Sequence, residues 1–210
     1  MKRILLYLLG ALALLLGSCS TTTVVSSWRA PEVYKQDLEK MLVLGMMGNR
    51  NRELRESIEE AIVQELQTKG LNATAATKVF GPTGFRGLSE EKVNQKVKAE
   101  GFTSVMIVSL VDREKERVYT QGIVYARPVI IGYSRYYRRY LYVYDQVYSP
   151  GYYSTTTNYV LQAEIYSVAG NELVYSGQTR SYNPGSAAAL ADEFSKTIVK
   201  DMTEKGLLNK

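Results

Sequence analysis

The side chains able to do chemistry are few, and the absences are as informative as the positions. The 210-residue chain has no histidine and one cysteine, Cys19. Without imidazole there is no Ser-His-Asp triad, no His-based metal site and no near-neutral acid/base group of the usual kind. Carboxylates gather after an apolar run (Asp112, Glu114, Glu116) and around a late turn (Glu164, Glu172). A paired-acid glycosidase needs two carboxyl groups held at a set separation, and no spacing here puts two together. Glu114-Lys-Glu-Arg117 alternates in charge as a solvated strand end does, and Glu53, Glu56, Glu59 and Glu60, beside Arg52 and Arg55, are expected to face water. Gly45-Met-Met-Gly48 matches neither dinucleotide nor P-loop spacing, so it reads as a plain strand-to-helix turn with no cofactor and no metal.

One segment is anomalous in composition. Between Tyr125 and Tyr153 lie ten tyrosines with Arg127, Arg135, Arg138 and Arg139, opposed only by Asp145. Tyr140, Tyr142 and Tyr144 alternate with Leu141 and Val143, so two arms meeting near Gly132-Tyr-Ser-Arg135 predict an extended β-hairpin, with Pro128 on an edge. Aromatic area, hydroxyls and guanidinium forks are the groups enriched at binding hot spots. Tyr133, Arg135, Tyr136, Tyr137, Arg138, Arg139 and Tyr140 are therefore the candidate partner-binding residues, for an envelope glycan, lipopolysaccharide or another envelope protein. The competing reading is that tyrosine, a strong strand former, covers a two-sided ribbon whose arginines protect an exposed edge.

The amino terminus gives an address. Met1-Lys2-Arg3, the apolar run Ile4 to Leu16, and small Gly17-Ser18 form the three regions of a secretory signal over residues 1–18. Thirteen apolar residues fall short of the roughly 20 that span a bilayer as a helix. Leu16-Gly-Ser-Cys19 resembles the bacterial lipobox, which implies cleavage before Cys19 and acylation of its amine and thiol. Two or three acyl chains anchor far more firmly than one. Ser20 rather than Asp at the next position implies an outer-membrane address facing the periplasm, or the outer face of the cell membrane in a monoderm. Losing Lys2 and Arg3 takes 26 basic residues to 24 against 21 acidic ones, a net +3, too small a surplus for a dedicated nucleic-acid binder.

These groups need elements to position them. Residues 19–27 read as a polar lipidated tether, with a strand from Val24 as the alternative, and residues 28–210 as the folded domain. Met41–Met47 is a short continuous apolar run, the mark of a buried strand. Leu54, Ile58, Ala61, Ile62 and Leu66 recur at helical spacing over 51–69, with Asn49 or Asn51 as N-cap and Gly70 as stop. A strand at 71–77, a helix from Ser89 to Glu100 and an apolar strand at 104–111 follow, and their continuous apolar character predicts a parallel arrangement. Alternation over 161–165, the turn Gly170-Asn171 and a strand at 173–182 predict an antiparallel hairpin. Leu190, Phe194, Ile198 and Met202 mark a closing helix. The predicted fold is a single α/β mixed-sheet domain, β-α-β-α-β followed by antiparallel strands and a C-terminal helix, with the Tyr-rich hairpin inserted at 117–157.

At Ser26-Ser-Trp-Arg-Ala-Pro31 the chain resembles a family of bacterial envelope lipoproteins of unassigned activity, which carry a serine-serine-tryptophan-basic-x-proline motif after a lipidated cysteine. Leu42 to Leu66, Val105 to Val111, Leu173 to Gly177 and Gly206-Leu-Leu208 extend the likeness over most of the mature chain, with Tyr175 where a tryptophan is expected. The strand–helix order is also similar to curli-secretion and penicillin-binding-protein activator lipoproteins, as fold analogy only. The resemblance implies an address and a fold, and no catalytic residues. The expectation is a non-enzymatic, membrane-anchored structural or interaction module. A self-assembling secretion or scaffold lipoprotein, homo-oligomeric through the hairpin edge, is the alternative, and a carboxylate-dependent glycan hydrolase stands behind both.

Overall fold

The computed structural model describes residues 21–33, 38–85, 87–134 and 139–208. Two compact units result, one drawn from the residues up to Arg113 and from Asn158 onward, the other from Glu114–Thr157. The elements in chain order are β1 (Thr22–Arg29), β2 (Lys40–Met46), α1 (Arg52–Thr68), β3 (Asn72–Ala75), α2 (Ala76–Phe80), α3 (Glu90–Ala99), β4 (Ser104–Thr120), β5 (Ile123–Ser134), β6 (Arg139–Ser149), β7 (Tyr152–Ser167), β8 (Leu173–Tyr182) and α4 (Ala187–Glu204).

The first unit is built on a mixed sheet of order β1-β8-β7-β4-β2-β3. β2 pairs in parallel with both β3 and β4, whereas β8 pairs antiparallel with β7 and with β1. The apolar run of β2 is continuous because both faces are covered. Met41 and Val43 join α1 and α4 in the larger core, with Met106, Leu161, Ile165 and Phe194. Leu42, one residue out of phase, joins Ala76, Val97 and Phe102 on the opposite face, and Leu44 packs against that cluster; this is the period of two that places successive side chains on opposite faces. Residues 71–77 divide, so that only Asn72–Ala75 is strand and Thr77 already belongs to α2.

Helix ends follow the residues. Gly70, Gly101 and Gly206 all have positive φ (79°, 74° and 72°). Each lies where a helix is closed by paired carbonyl bonds: Leu71 N–H reaches Leu66 O, Phe102 N–H reaches Val97 O and Leu207 N–H reaches Met202 O. Only glycine takes that left-handed position without a Cβ penalty. α4 starts where the Ser186 side chain accepts from Ala189 N–H.

The expected tether is corrected over 22–27. Those residues are strand, because their small polar side chains find partners that a free linker lacks. Thr22 Oγ1 lies 2.7 Å from Ser181 Oγ, and Glu193 on α4 accepts from Thr21 N–H and both threonine hydroxyls at 2.8–3.0 Å. Further along, Ser27 Oγ donates to Asp201 Oδ1 at 3.0 Å, and the hydroxyl of fully buried Tyr175 donates to Asp201 Oδ2 at 2.7 Å. Burial, reinforced by that carboxylate, pushes the Tyr175 phenol well above the ordinary tyrosine range. The Tyr175 ring packs so closely on Gly177 that a Cβ there would overlap it, lying 2.9 Å from Cζ and 3.1 Å from Ile198 Cδ1.

The second unit contains the inserted hairpin. β5 and β6 form their own two-stranded antiparallel sheet, from Ile123↔Ser149 to Ser134↔Arg139. A register shift falls between Ile130 and Gly132. Gly132 and Tyr133 therefore belong to a strand, not to the turn the sequence suggested: eight tyrosine- and valine-rich pairs below them already fix the ladder, and the extra residue is taken up as a bulge. Gly122 lets the backbone close up, since a Cβ there would lie 2.6 Å from Gly151 N and from Ser149 O. Tyr119 and Tyr153 stack at 4.8 Å between centroids, with the Arg117 guanidinium 5.6 Å from the Tyr153 ring.

Candidate functional site

The Tyr/Arg ribbon is the first candidate. Of its nominated residues, Arg135, Tyr136, Tyr137 and Arg138 lie outside the described residues, as does the lipidation candidate Cys19. The ladder brings Tyr133 opposite Tyr140 and sets Arg139 opposite Ser134, so three of the nominated positions share one end of the sheet.

Register then sorts the ribbon into two unlike faces, because directly paired residues in an antiparallel ladder share a side. One face carries the pairs Val124/Tyr148, Ala126/Gln146 and Pro128/Tyr144 and then Ile130, a row without a charge. The other carries Ile123/Ser149, Tyr125/Val147, Arg127/Asp145 and Val129/Val143, with its opposite charges directly across from one another. Both faces are open: Val124 is 62% exposed, Ile130 56%, Tyr144 70% and Tyr148 67%, and on the other side Ile123 is 62% exposed. A two-stranded sheet is marginal by itself in water, and this one carries large apolar side chains exposed on both faces. The sequence found the ribbon by composition but could not show that apolar side chains on both faces are exposed.

A second feature escaped sequence reading. A cavity of about 680 Å³ opens beside the carboxyl end of β2, walled by Leu44, Val105 and Ile107 from the sheet and by Val93 and Val97 from α3. Gly45, Met46 and Met47 line it, so the glycine-containing junction borders a cavity, although its amide is already engaged. Gly45 N–H donates to Glu59 Oε1 at 2.9 Å, while Glu59 Oε2 accepts from Thr77 N–H at 3.0 Å and from Thr77 Oγ1 at 2.6 Å.

This corrects the expectation for Glu59, which does not face water: it is fully buried. The signal was present in the helical period, since residue 59 follows Ile58 and precedes Ile62 and Val63 by three and four positions on the buried stripe. Glu59 thereby ties the end of β2 to the start of α2. Arg55, one turn earlier and also expected in water, is half-buried along the cavity wall. Its stem fills the space that a Gly45 side chain would need, with Cγ 2.5 Å from that Cβ position. Its Nε is buried without a hydrogen-bond partner among the described residues.

Glu164 accepts from Gln162 Nε2 at 2.9 Å and from the Tyr166 hydroxyl at 3.4 Å; burial and the Glu164 charge push that phenol up. Among the described residues no group of three His, Cys, Asp or Glu is arranged to hold a metal, and no helix is long and apolar enough to cross a membrane.

No protein-family model and no curated protein matches the chain. Among solved structures, it is similar to the PelC dodecamer from Paraburkholderia phytofirmans, with a TM-score of 0.46 and 10% identity over 85% of this chain and 95% of that one. It is also similar to the lipoprotein GNA1162 from Neisseria meningitidis, with a TM-score of 0.43 and 11% identity over 79% of this chain and 98% of that one.

Proposed function

We propose that the protein is a non-enzymatic lipoprotein of the bacterial envelope, anchored through acylated Cys19 on the periplasmic face of the outer membrane, whose working surface is the β5–β6 ribbon. The observation that carries this reading is the exposure of apolar and aromatic side chains on both sides of a sheet only two strands wide. Such a surface gains by being covered, at about 25 cal/mol per Å² of apolar area removed from water. The lack of imidazole in the sequence and the engagement of the buried Glu59 carboxylate with three donors also support this reading.

The same ribbon supports self-assembly as a second reading. In the described residues neither edge of β5–β6 is paired with a further strand, and open edges accept added strands through main-chain hydrogen bonds. Ribbons from several copies, placed edge to edge, would meet that need without a foreign partner.

Two measurements test these readings. Mass spectrometry of the membrane-extracted protein should show a chain beginning at an acylated Cys19; an unprocessed chain that keeps Met1 refutes the anchor. Changing Tyr136, Tyr137 and Tyr140 to Ala, or Arg138 and Arg139 to Glu, should weaken co-sedimentation with cell-wall sacculi or lipopolysaccharide without changing helix content. For self-assembly, light scattering of the intact protein in nonionic detergent should give a multiple of the chain mass that Ile130→Asp with Tyr144→Asp reduces to one. A monomer of unaltered mass at high concentration removes the second reading, and unchanged sedimentation removes the first.

A further inference from the structure

The cavity beside β2 is a second site, independent of the ribbon, and its position follows from the topology. β2 lies between β4 and β3 and runs parallel to both. From β2 the chain passes through α1 to β3 on one side, while the sheet neighbour of β4 on its other side is β7. The return from β3 to β4 through α2 and α3 therefore passes over β2, and residues of that connection, among them Ala76, Val93 and Val97, border the cavity at the carboxyl end of β2, the end at which open α/β sheets bind their ligands. Leu44, Gly45 and Met46 place the cavity at that end, and about 680 Å³ is within the range of small-molecule sites.

Its chemistry is that of an amphipathic receptor. Leu44, Val105 and Ile107 on the sheet and Val93 and Val97 on α3 form an apolar wall. Among the described residues no ion pair includes Arg55: both Glu59 oxygens are taken up by Gly45 and Thr77, and Glu90 is exposed at the start of α3. A buried guanidinium nitrogen without an acceptor is costly to maintain. A bound anion would supply that acceptor, and a planar fork suits carboxylate and phosphate alike.

We infer that this cavity binds a small amphipathic anion, with an apolar body against Leu44, Val97 and Ile107 and a carboxylate or phosphate group at Arg55. Gly45 is part of the device, since only a residue without a Cβ lets the Arg55 stem cross the end of β2.

Calorimetric titration of the intact protein in nonionic detergent tests the inference with three probes that share one body: 4-phenylbutyrate, 4-phenylbutyl phosphate and uncharged 4-phenylbutanamide. One or both anions should bind saturably at one site, about tenfold or more tighter than the amide, as loss of a charged hydrogen bond implies. Preference between the two anions then identifies the head group as a carboxylic acid or a phosphomonoester. Arg55→Gln should bring the anions down to the amide, Arg55→Lys should retain part of the difference, and Val93→Trp should fill the cavity and block all three. Circular dichroism establishes that each variant is folded, and the lysine variant carries the test if the glutamine variant is not. Absence of saturable binding, equal binding of amide and anions, or anion binding unaffected by Arg55→Gln overturns the inference, including the case in which water alone satisfies Arg55.

Discussion

Glu59→Gln is the sharpest probe of the architecture, because the chain supplies its own control one residue away. Glu59 is fully buried, and its two oxygens accept three hydrogen bonds from Gly45 and Thr77. Glutamine keeps one acceptor oxygen and turns an amide NH2 toward donors, so at least one buried N–H is left facing another N–H. Hydrogen bonds to charged groups contribute about 1.5–3 kcal/mol each, and an orphaned buried donor carries its own desolvation cost. The expected loss is about 3 kcal/mol, which for a protein of this size lowers the melting temperature by about 6–12 °C. Glu60 makes an ion pair to Lys78 Nζ at 2.9 Å, but with both side chains more than half exposed, and Glu60→Gln should cost no more than about 0.5 kcal/mol. Urea unfolding followed by Trp28, the only tryptophan and a β1 residue of the first unit, reads both variants in that unit alone. A Glu59→Gln cost under about 1 kcal/mol, or equal costs at 59 and 60, would show that the carboxylate does not join β2 to α2 as described.

Two further substitutions test the joint between β8 and α4. Tyr175→Phe removes the donor to Asp201 and should cost about 2 kcal/mol at pH 7, since Ser27 remains on that carboxylate. The folded-state phenol is held above its unfolded value of about 10, so its contribution is complete below pH 10 and lost as pH rises beyond it. The substituted protein should therefore show a shallower fall in stability as pH rises above 10 by circular dichroism, and parallel pH curves there would contradict the assignment. Gly177→Ala places a methyl group against the Tyr175 ring and Ile198 in a closed core and should destabilise by about 1–3 kcal/mol; the double variant with Tyr175→Ala should recover part of that, and no recovery would mean that the clash lies elsewhere.

Most of the fold was legible because it rests on local periods. The continuous run of β2 signalled a strand covered on both faces, alternation at Leu161, Ala163 and Ile165 signalled a sheet packed on one side, and Gly70 marked the end of α1. The β1 segment was harder to read: Thr21, Thr22 and Ser27 look like linker residues, and become strand only because Glu193, Ser181 and Asp201 arrive from about 160–175 residues away to satisfy them.

By itself the sequence determined the order of most elements, though not β1 or α2, the division into parallel and antiparallel halves, and the tyrosine excess of the ribbon, all properties of neighbouring residues. Only the tertiary structure decided that Glu59 is buried, that Arg55 crosses Gly45 to line a cavity, and that apolar side chains on both faces of the ribbon are exposed. Those outcomes depend on which distant segments meet. A carboxylate or guanidinium on a helix edge has the same local pattern whether water, a strand terminus or an empty crevice lies beside it, and only the packed partners set its energy.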